Sequence, residues 1–365
     1  MKKETMDEII DRLYKEKKKR YKEHKLKGLF LEMTLRCNAR CEHCGSSCGD
    51  FIQKDEITKE ELMHSLKEIA DKYGDEKPML YVTGGEPLVR KDLFEILDYA
   101  ANTLGFDWGM TSNGMLIDEK IVKKMVDTKM YSISISIDGD KELHESFRKV
   151  PGSFEKILKG IRLMQECPSI KSVQVTTCVN KKNINMLDDI YKILKENNVK
   201  DWRFIQVDPI GRAKDNDELL LSKDEYRKMY SYMLEMRKKD PDMKFSYSCG
   251  HFLGNDLNMA LGNTCFLCTT GYEVASILSN GDVSGCPDIL RRKELVQGNI
   301  RKRRFVDIWE NEFKNYRSIN RTSNSKCKKC PDWKSCCGDA FHTWDFKENK
   351  PGFCVREVFT DHYIK

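Results

Sequence analysis

Three thiols within eight residues, Cys37-Asn-Ala-Arg-Cys41-Glu-His-Cys44, constrain this 365-residue chain more than any other stretch. They follow the apolar run Leu29-Phe-Leu-Glu-Met-Thr-Leu35, where a strand would hand over to a loop. A loop this short closes on one metal centre at little entropic cost. Three thiolates are one fewer than a saturated four-iron cluster needs, which leaves one iron open to a substrate or cofactor. Zinc, with Cys48 or His43 as the fourth ligand, is the alternative that spacing leaves open.

The remaining cysteines reinforce a metal reading. Fifteen are present, grouped at 37/41/44/48, 265/268/286 and 327/330/336/337/354, with Cys167, Cys178 and Cys249 apart. In a reducing compartment disulfides do not persist, and clustered thiols favour metal. The chain has no run of eighteen apolar residues and no apolar signal core at its N-terminus, which predicts a cytoplasmic protein without a membrane span. Its net charge of +6 is mostly local, because residues 1–28 hold eleven Lys/Arg against six Asp/Glu. Ile10, Leu13 and Tyr14 have helical spacing there, so the segment reads as a solvated amphipathic helix rather than a nucleic-acid-binding arm.

From residue 29 to about 212, β-rich runs at 29–35, 79–83, 106–111, 131–137, 173–177 and 202–207 alternate with helical stretches near 58–73, 91–104, 118–129, 153–166 and 184–197. Thr58 with Glu61 forms a capping-box pattern at the first of these helices. Six such units predict an α/β fold with a parallel sheet; a partial barrel and an open doubly wound sheet both fit. Unusual residues fall just after the strands: the cysteines after the first, Gly84-Gly-Glu-Pro87 after the second, Ser112-Asn-Gly114 after the third, Asp138-Gly139 after the fourth. That is the face on which parallel β/α proteins build their sites. A helix near 223–240 leads into a region from 245 onward that is poor in periodic segments and rich in Gly, Cys, Asn and Lys, as expected of a small domain held by metal. The expected division is a basic helix at 1–28, a core at 29–244 and a metal-stapled domain at 245–365.

Cys-x3-Cys-x2-Cys after a first strand, followed one unit later by Thr83-Gly-Gly-Glu-Pro87, resembles the signature of the radical S-adenosylmethionine (SAM) enzymes. The resemblance implies a partial (β/α)6 TIM-like barrel in which Cys37, Cys41 and Cys44 hold a [4Fe–4S] cluster whose free iron binds SAM. It places Gly84, Gly85, Glu86 and Pro87 at the SAM ammonium. Ser112, Asn113, Ser136 and Asp138 lie at the ribose and carboxylate, Arg148 at the methionine carboxylate, and Val207 against the adenine. The usual aromatic before the third cysteine is His43 here.

The tail resembles the SPASM extension, which implies two auxiliary Fe–S clusters. Cys327, Cys330, Cys336 and Cys354 make one complete set. Cys265, Cys268 and Cys286 make a second that lacks a fourth ligand, because Ala340 stands where the family has cysteine. Cys249, Cys337, Asp339, His342 or an open iron could fill that place. Asp288 is the candidate general base. SPASM company implies a peptide or protein substrate, with oxidation, a crosslink or a thioether as the outcome and a flavodoxin or ferredoxin as electron donor. Alternatives are a sulfatase-maturase-like formylglycine-forming enzyme, a small-molecule dehydrogenase, and a non-catalytic metal-stapled binding scaffold.

Overall fold

A computed structural model describes residues 4–51, 53–247, 250–261, 268–287, 291–317, 327, 329–345 and 347–354. Helix α1 (Met6–Glu23) precedes β1 (Gly28–Glu32), and α2 (Lys59–Tyr73) leads to β2 (Met79–Thr83). Then come α3 (Leu93–Asp98), β3 (Trp108–Ser112), α4 (Glu119–Asp127) and β4 (Ser132–Ser136). After α5 (Lys141–Arg148) and α6 (Ser153–Gln165) the chain forms β5 (Ser172–Val179), α7 (Leu187–Glu196) and β6 (Asp201–Gln206). These six strands pair in chain order, all parallel. Thr58 and Glu61 cap α2 reciprocally as their spacing predicts, at 3.2 and 2.9 Å. Helix α5 is an addition to the expected elements, its eight residues too short for helical periodicity to stand out.

The sheet does not stop at six strands. After α8 (Lys223–Lys239), β7 (Lys244–Tyr247) joins β6 in parallel; beyond α9 (Asn255–Ala260), β8 (Val274–Ile277) joins the other edge, parallel to β1. Two short antiparallel strands, β9 (Asp282–Ser284) and β10 (Gly298–Asn299), complete the order β10-β9-β8-β1-β2-β3-β4-β5-β6-β7. Both edges of the six-strand core thus find partners for their free backbone groups. The result is an open, partial TIM-type barrel.

Side-chain alternation decides which face is which. In Ser132-Ile-Ser-Ile-Ser136 the isoleucines are buried in the apolar core. Ser132 and Ser134 face a lumen of about 840 Å³ together with Thr111, Gln174 and Arg203. Trp202 and Phe204 are buried in β6, their rings 4.4 Å apart.

The N-terminal helix is amphipathic as expected, with Lys17 and Tyr21 its buried residues, and that covered face is specifically fastened. Lys17 is 1% exposed and its ammonium donates to the carbonyl of Ser335, within the short helix α10 (Trp333–Cys336). Tyr21 stacks on Tyr272 at 4.1 Å, and Arg20 and Lys27 both pair with Glu273. Part of the basic surplus therefore fastens the helix to the C-terminal region. Among the described residues no helix is long and apolar enough to cross a membrane.

Phe204→Ala removes a ring from the closed face of the sheet. The expected loss is about 3–5 kcal/mol, read as a lower thermal midpoint of the cluster-loaded protein; an unchanged midpoint would contradict this placement of the core.

Candidate active site

The cysteine loop is held from three sides. At its start, the Cys37 N–H donates to the Gly49 carbonyl at 2.9 Å. The last carbonyls of α5, from Phe147 and Arg148, accept from the N–H groups of Glu42 and Arg40 at 3.1 and 3.3 Å, so a helix end that needs donors is satisfied by the loop. From beyond β6, Arg212 donates to the Cys41 and Cys48 carbonyls, each at 2.7 Å. Gly211 makes that approach possible: it has φ +57°, and a Cβ there would lie 2.2 Å from the Gly45 carbonyl oxygen. His43 stacks on Phe147 at 4.6 Å, and burial pushes it down to about 4, so it is neutral.

The three thiols lie within electrostatic reach of one another. Burial pushes Cys37 up to about 12 and raises Cys41 as well. A hydrogen bond from the Cys48 thiol pushes Cys44 down to about 6. Asn113 Nδ2 donates to Cys37 Sγ at 3.9 Å and Arg148 Nη1 to Cys41 Sγ at 3.7 Å. Buried and half-buried thiols with donors already aimed at two of their sulfurs fit an iron–sulfur centre, which favours thiolates and is tuned by such hydrogen bonds.

The glycine pair after β2 serves the backbone. A Cβ on Gly84 would lie 2.4 Å from the Thr34 carbonyl oxygen, and one on Gly85 would lie 2.2 Å from that of Arg36. The Gly85 and Glu86 N–H groups donate to those same carbonyls at 2.8 and 2.9 Å. Glu86, which the resemblance places at the SAM ammonium, also has protein donors. Its fully buried carboxylate accepts from Ser112 Oγ (2.9 Å), the Asn113 N–H (2.8 Å) and the Leu88 N–H (3.1 Å). Glu86 is thus a strut between the ends of β2 and β3. Pro87 is buried at the start of a 3-10 turn.

Asp138 and Arg148 form a buried ion pair at 2.6 Å. Burial works against the Asp138 anion, the Arg148 guanidinium outweighs it, and the carboxyl lies below its usual range. Asp138 also accepts from the Cys178 N–H at 2.9 Å, and its own N–H donates to His144 Nδ1 at 3.2 Å. Ser136 ends β4, half-buried. Val207 packs its side chain with Phe147, Cys178, Ala213 and Leu219, and its N–H donates to the Val179 carbonyl at 3.1 Å.

Cys268 and Cys286 line the lumen opposite the strands. Cys327, Cys330 and Cys336 follow one another through turns, with Cys330 N–H donating to the Cys327 carbonyl at 3.1 Å; Cys354 is half-buried. Cys249, Cys265 and Asp288 lie outside the described residues. Of the remaining candidates for a fourth ligand, Asp339 accepts from His251 Nδ1 (2.6 Å) and the Phe252 N–H (2.7 Å), while Cys337 faces Lys17 Nζ at 3.9 Å. His342 shares the lumen with Cys268, Cys286 and Ala340. Two residues without a sequence signal also stand out. Arg203 donates to Thr176 Oγ1 (2.8 Å) and Ser134 Oγ (3.1 Å) and makes no ion pair among the described residues; His251 lies buried between two carboxylates.

Comparison with known proteins agrees with this geometry. Residues 31–194 match the Radical SAM superfamily and residues 268–331 match SPASM, an iron-sulfur cluster-binding domain. The chain carries a radical SAM domain and a SPASM domain and is an enzyme. Such an enzyme works with a [4Fe–4S] cluster and SAM, and the SPASM domain binds auxiliary Fe–S clusters. It is 29% identical over 344 residues to the AdoMet-dependent heme synthase of Methanosarcina barkeri, a match spanning 89% of this chain and 95% of that one. It is 26% identical to the mycofactocin maturase MftC of Mycolicibacterium smegmatis, spanning 84% and 76%. The fold is similar to SuiB of Streptococcus suis, solved with SAM and with its precursor peptide SuiA: TM-score 0.72, 19% identity, 95% of this chain; the match spans 80% of the SAM-bound chain and 79% of the peptide-bound chain.

Two outcomes follow from the site. Arg212→Met removes both loop hydrogen bonds and should lower iron retained per chain after gel filtration under anaerobic conditions, while Lys in its place restores part of it. Burial and Arg148 push His144 down to about 4 from its usual 6.5. As pH falls from 6.5 towards 4, the unfolded chain therefore takes up this proton first and stability is lost. His144→Gln should flatten that acid limb of the thermal-midpoint profile relative to wild type; an identical profile would contradict a neutral buried His144.

Proposed function

We propose that this chain cleaves SAM reductively and oxidises a carboxylate-bearing substrate held in the lumen between the strands and the SPASM cysteines. Cys37, Cys41 and Cys44 would hold the SAM-binding cluster. When bound, cluster and SAM supply a carbon-centred radical able to remove hydrogen from an unactivated C–H bond. The protein's own part is placement and exclusion of water. Asn113 and Arg148 direct donors at Cys37 and Cys41. Gly84, Gly85, Glu86, Ser112, Ser136, Asp138 and Val207 build the strand-end wall that a cofactor would meet. Cys327, Cys330, Cys336 and Cys354 would hold one auxiliary cluster, and Cys265, Cys268 and Cys286 the other.

The observation that carries the substrate reading is Arg203. A guanidinium on the lumen wall, positioned by two hydroxyls and lacking an ion-pair partner among the described residues, suits a carboxylate. The near end-to-end match to a heme synthase favours a tetrapyrrole with carboxylate side chains. The peptide reading of the sequence stands second, supported by the maturase MftC and by SuiB with its precursor peptide. A second cavity of about 790 Å³, walled in part by Cys37 and Cys48 of the cysteine loop, is lined by Arg36, Arg40, Lys149 and Arg212, with Asp50 as the acidic residue of its lining. That cationic rim supports docking of an acidic one-electron donor such as a flavodoxin or ferredoxin in the cytoplasm.

Anaerobic protein with reductant and SAM should form 5′-deoxyadenosine, and the double variant Cys37→Ala/Cys41→Ala should form none; full cleavage by that variant sinks the cluster assignment. Cys327→Ala should retain cleavage uncoupled from product. An iron coproporphyrin should raise 5′-deoxyadenosine yield and change mass, whereas stimulation by a peptide alone selects the second reading. Arg203→Ala should raise the substrate KM at least tenfold without abolishing uncoupled cleavage.

A further inference from the structure

Three segments far apart in sequence bring two imidazoles and a carboxylate together on the lumen wall. Asp208 follows β6, His251 follows β7, and His342 follows α10. Asp208 Oδ1 lies 3.2 Å from His251 Nε2, and its Oδ2 lies 2.8 Å from His342 Nε2. One ligand atom from each residue falls within 4.8 Å of the other two. The His251 side chain is fully buried, while those of Asp208 and His342 are 10% and 12% exposed; both imidazoles line the lumen.

We propose that Asp208, His251 and His342 form a mononuclear site for a divalent cation, zinc or another metal that prefers nitrogen and oxygen, with an open position facing the lumen. The donor set is the first argument. Two imidazoles and one carboxylate are borderline ligands suited to zinc and its neighbours, unlike the cysteine-dominated sets expected for the clusters. The distances are the second. Zinc bonds of about 2.0–2.2 Å set neighbouring donor atoms roughly 3.0–3.5 Å apart, close to the 2.8 and 3.2 Å seen here. The two imidazoles meet different oxygens of Asp208, and one ligand atom from each residue lies within 4.8 Å of the others, so the three side chains would draw together on closing around a cation.

The surroundings are the third argument, and they separate this set from a chance meeting of polar groups. Metal-bound histidines usually give their second ring N–H to a carboxylate, which fixes ring and tautomer. His251 does this: its Nδ1 meets Asp339 Oδ2 at 2.6 Å, and Asp339 is itself fixed by the Phe252 N–H at 2.7 Å. Phe353 stacks on the His251 ring at 4.1 Å and 21°. Gln206 Nε2 donates to Asp208 Oδ2 at 3.2 Å. The cation would replace the protons now held between the two imidazoles and Asp208, and a water or a substrate carboxylate would fill the open position. Because three protein ligands leave that position free, the pattern is that of a working site rather than a closed structural one.

The test uses the full-length, cluster-loaded protein, equilibrated anaerobically with zinc chloride, freed of loose metal by gel filtration and analysed by metal mass spectrometry and zinc K-edge absorption. One zinc per chain with only nitrogen and oxygen neighbours is expected. His251→Gln and His342→Gln should retain none, with iron, sulfide and thermal midpoint as controls on folding. Asp339→Asn keeps the shape and should weaken zinc binding by about 10–100-fold. No zinc retained by wild type, sulfur among its neighbours, or equal retention by the variants would each overturn the site. None of these readouts depends on catalytic turnover.

Discussion

The buried pair of Arg148 and Asp138 is the contact on which the reactive face depends. Asp138 ties the end of β4 to β5 through the Cys178 N–H, and Arg148 reaches from the last turn of α5 to Cys41 Sγ. Breaking a pair of this kind by removing one partner costs about 3–5 kcal/mol, because an unpaired charge stays behind. The pair explains why a helix as short as α5 is worth forming. Its final carbonyls then accept from the cysteine loop, so the helix, the ion pair and the loop are mutually fixed.

The rest of the face is backbone packed against backbone. Gly84 and Gly85 let the end of β2 lie on the end of β1, and Gly211 lets the segment after β6 lie on the cysteine loop. Each contact would be blocked by a single Cβ. Glu86 then braces β2 against β3 from a fully buried position. The cysteines are presented by a rigid frame made from four strand ends, which is what preorganisation of a reactive centre requires.

Below that frame the lumen has two kinds of wall. The strands offer hydroxyls and Arg203; the C-terminal region offers Cys268, Cys286, His251 and His342. The C-terminal region is not a separate appendage, since β8 is hydrogen-bonded to β1 along the same sheet and α1 fastens to residues on either side of it. Whatever occupies the lumen touches both parts at once.

Much of this was written in the sequence. The alternation of Ser132-Ile-Ser-Ile-Ser136, the Thr58/Glu61 cap and the Cys-x3-Cys-x2-Cys spacing act over a few residues, so local order alone exposes strands, helices and a metal loop. The roles of Glu86, Arg203 and His251 are not local. Glu86 is spent on groups 26 and 27 residues away, and His251 on Asp339, 88 residues on. Lys17, in a helix that composition marks as solvated, is buried where a carbonyl 318 residues later accepts its hydrogen bond. The three clustered thiols were determined by the sequence itself. Only the tertiary structure decided which donors face them and what shares their lumen, because burial and hydrogen-bond partners depend on which strand ends meet.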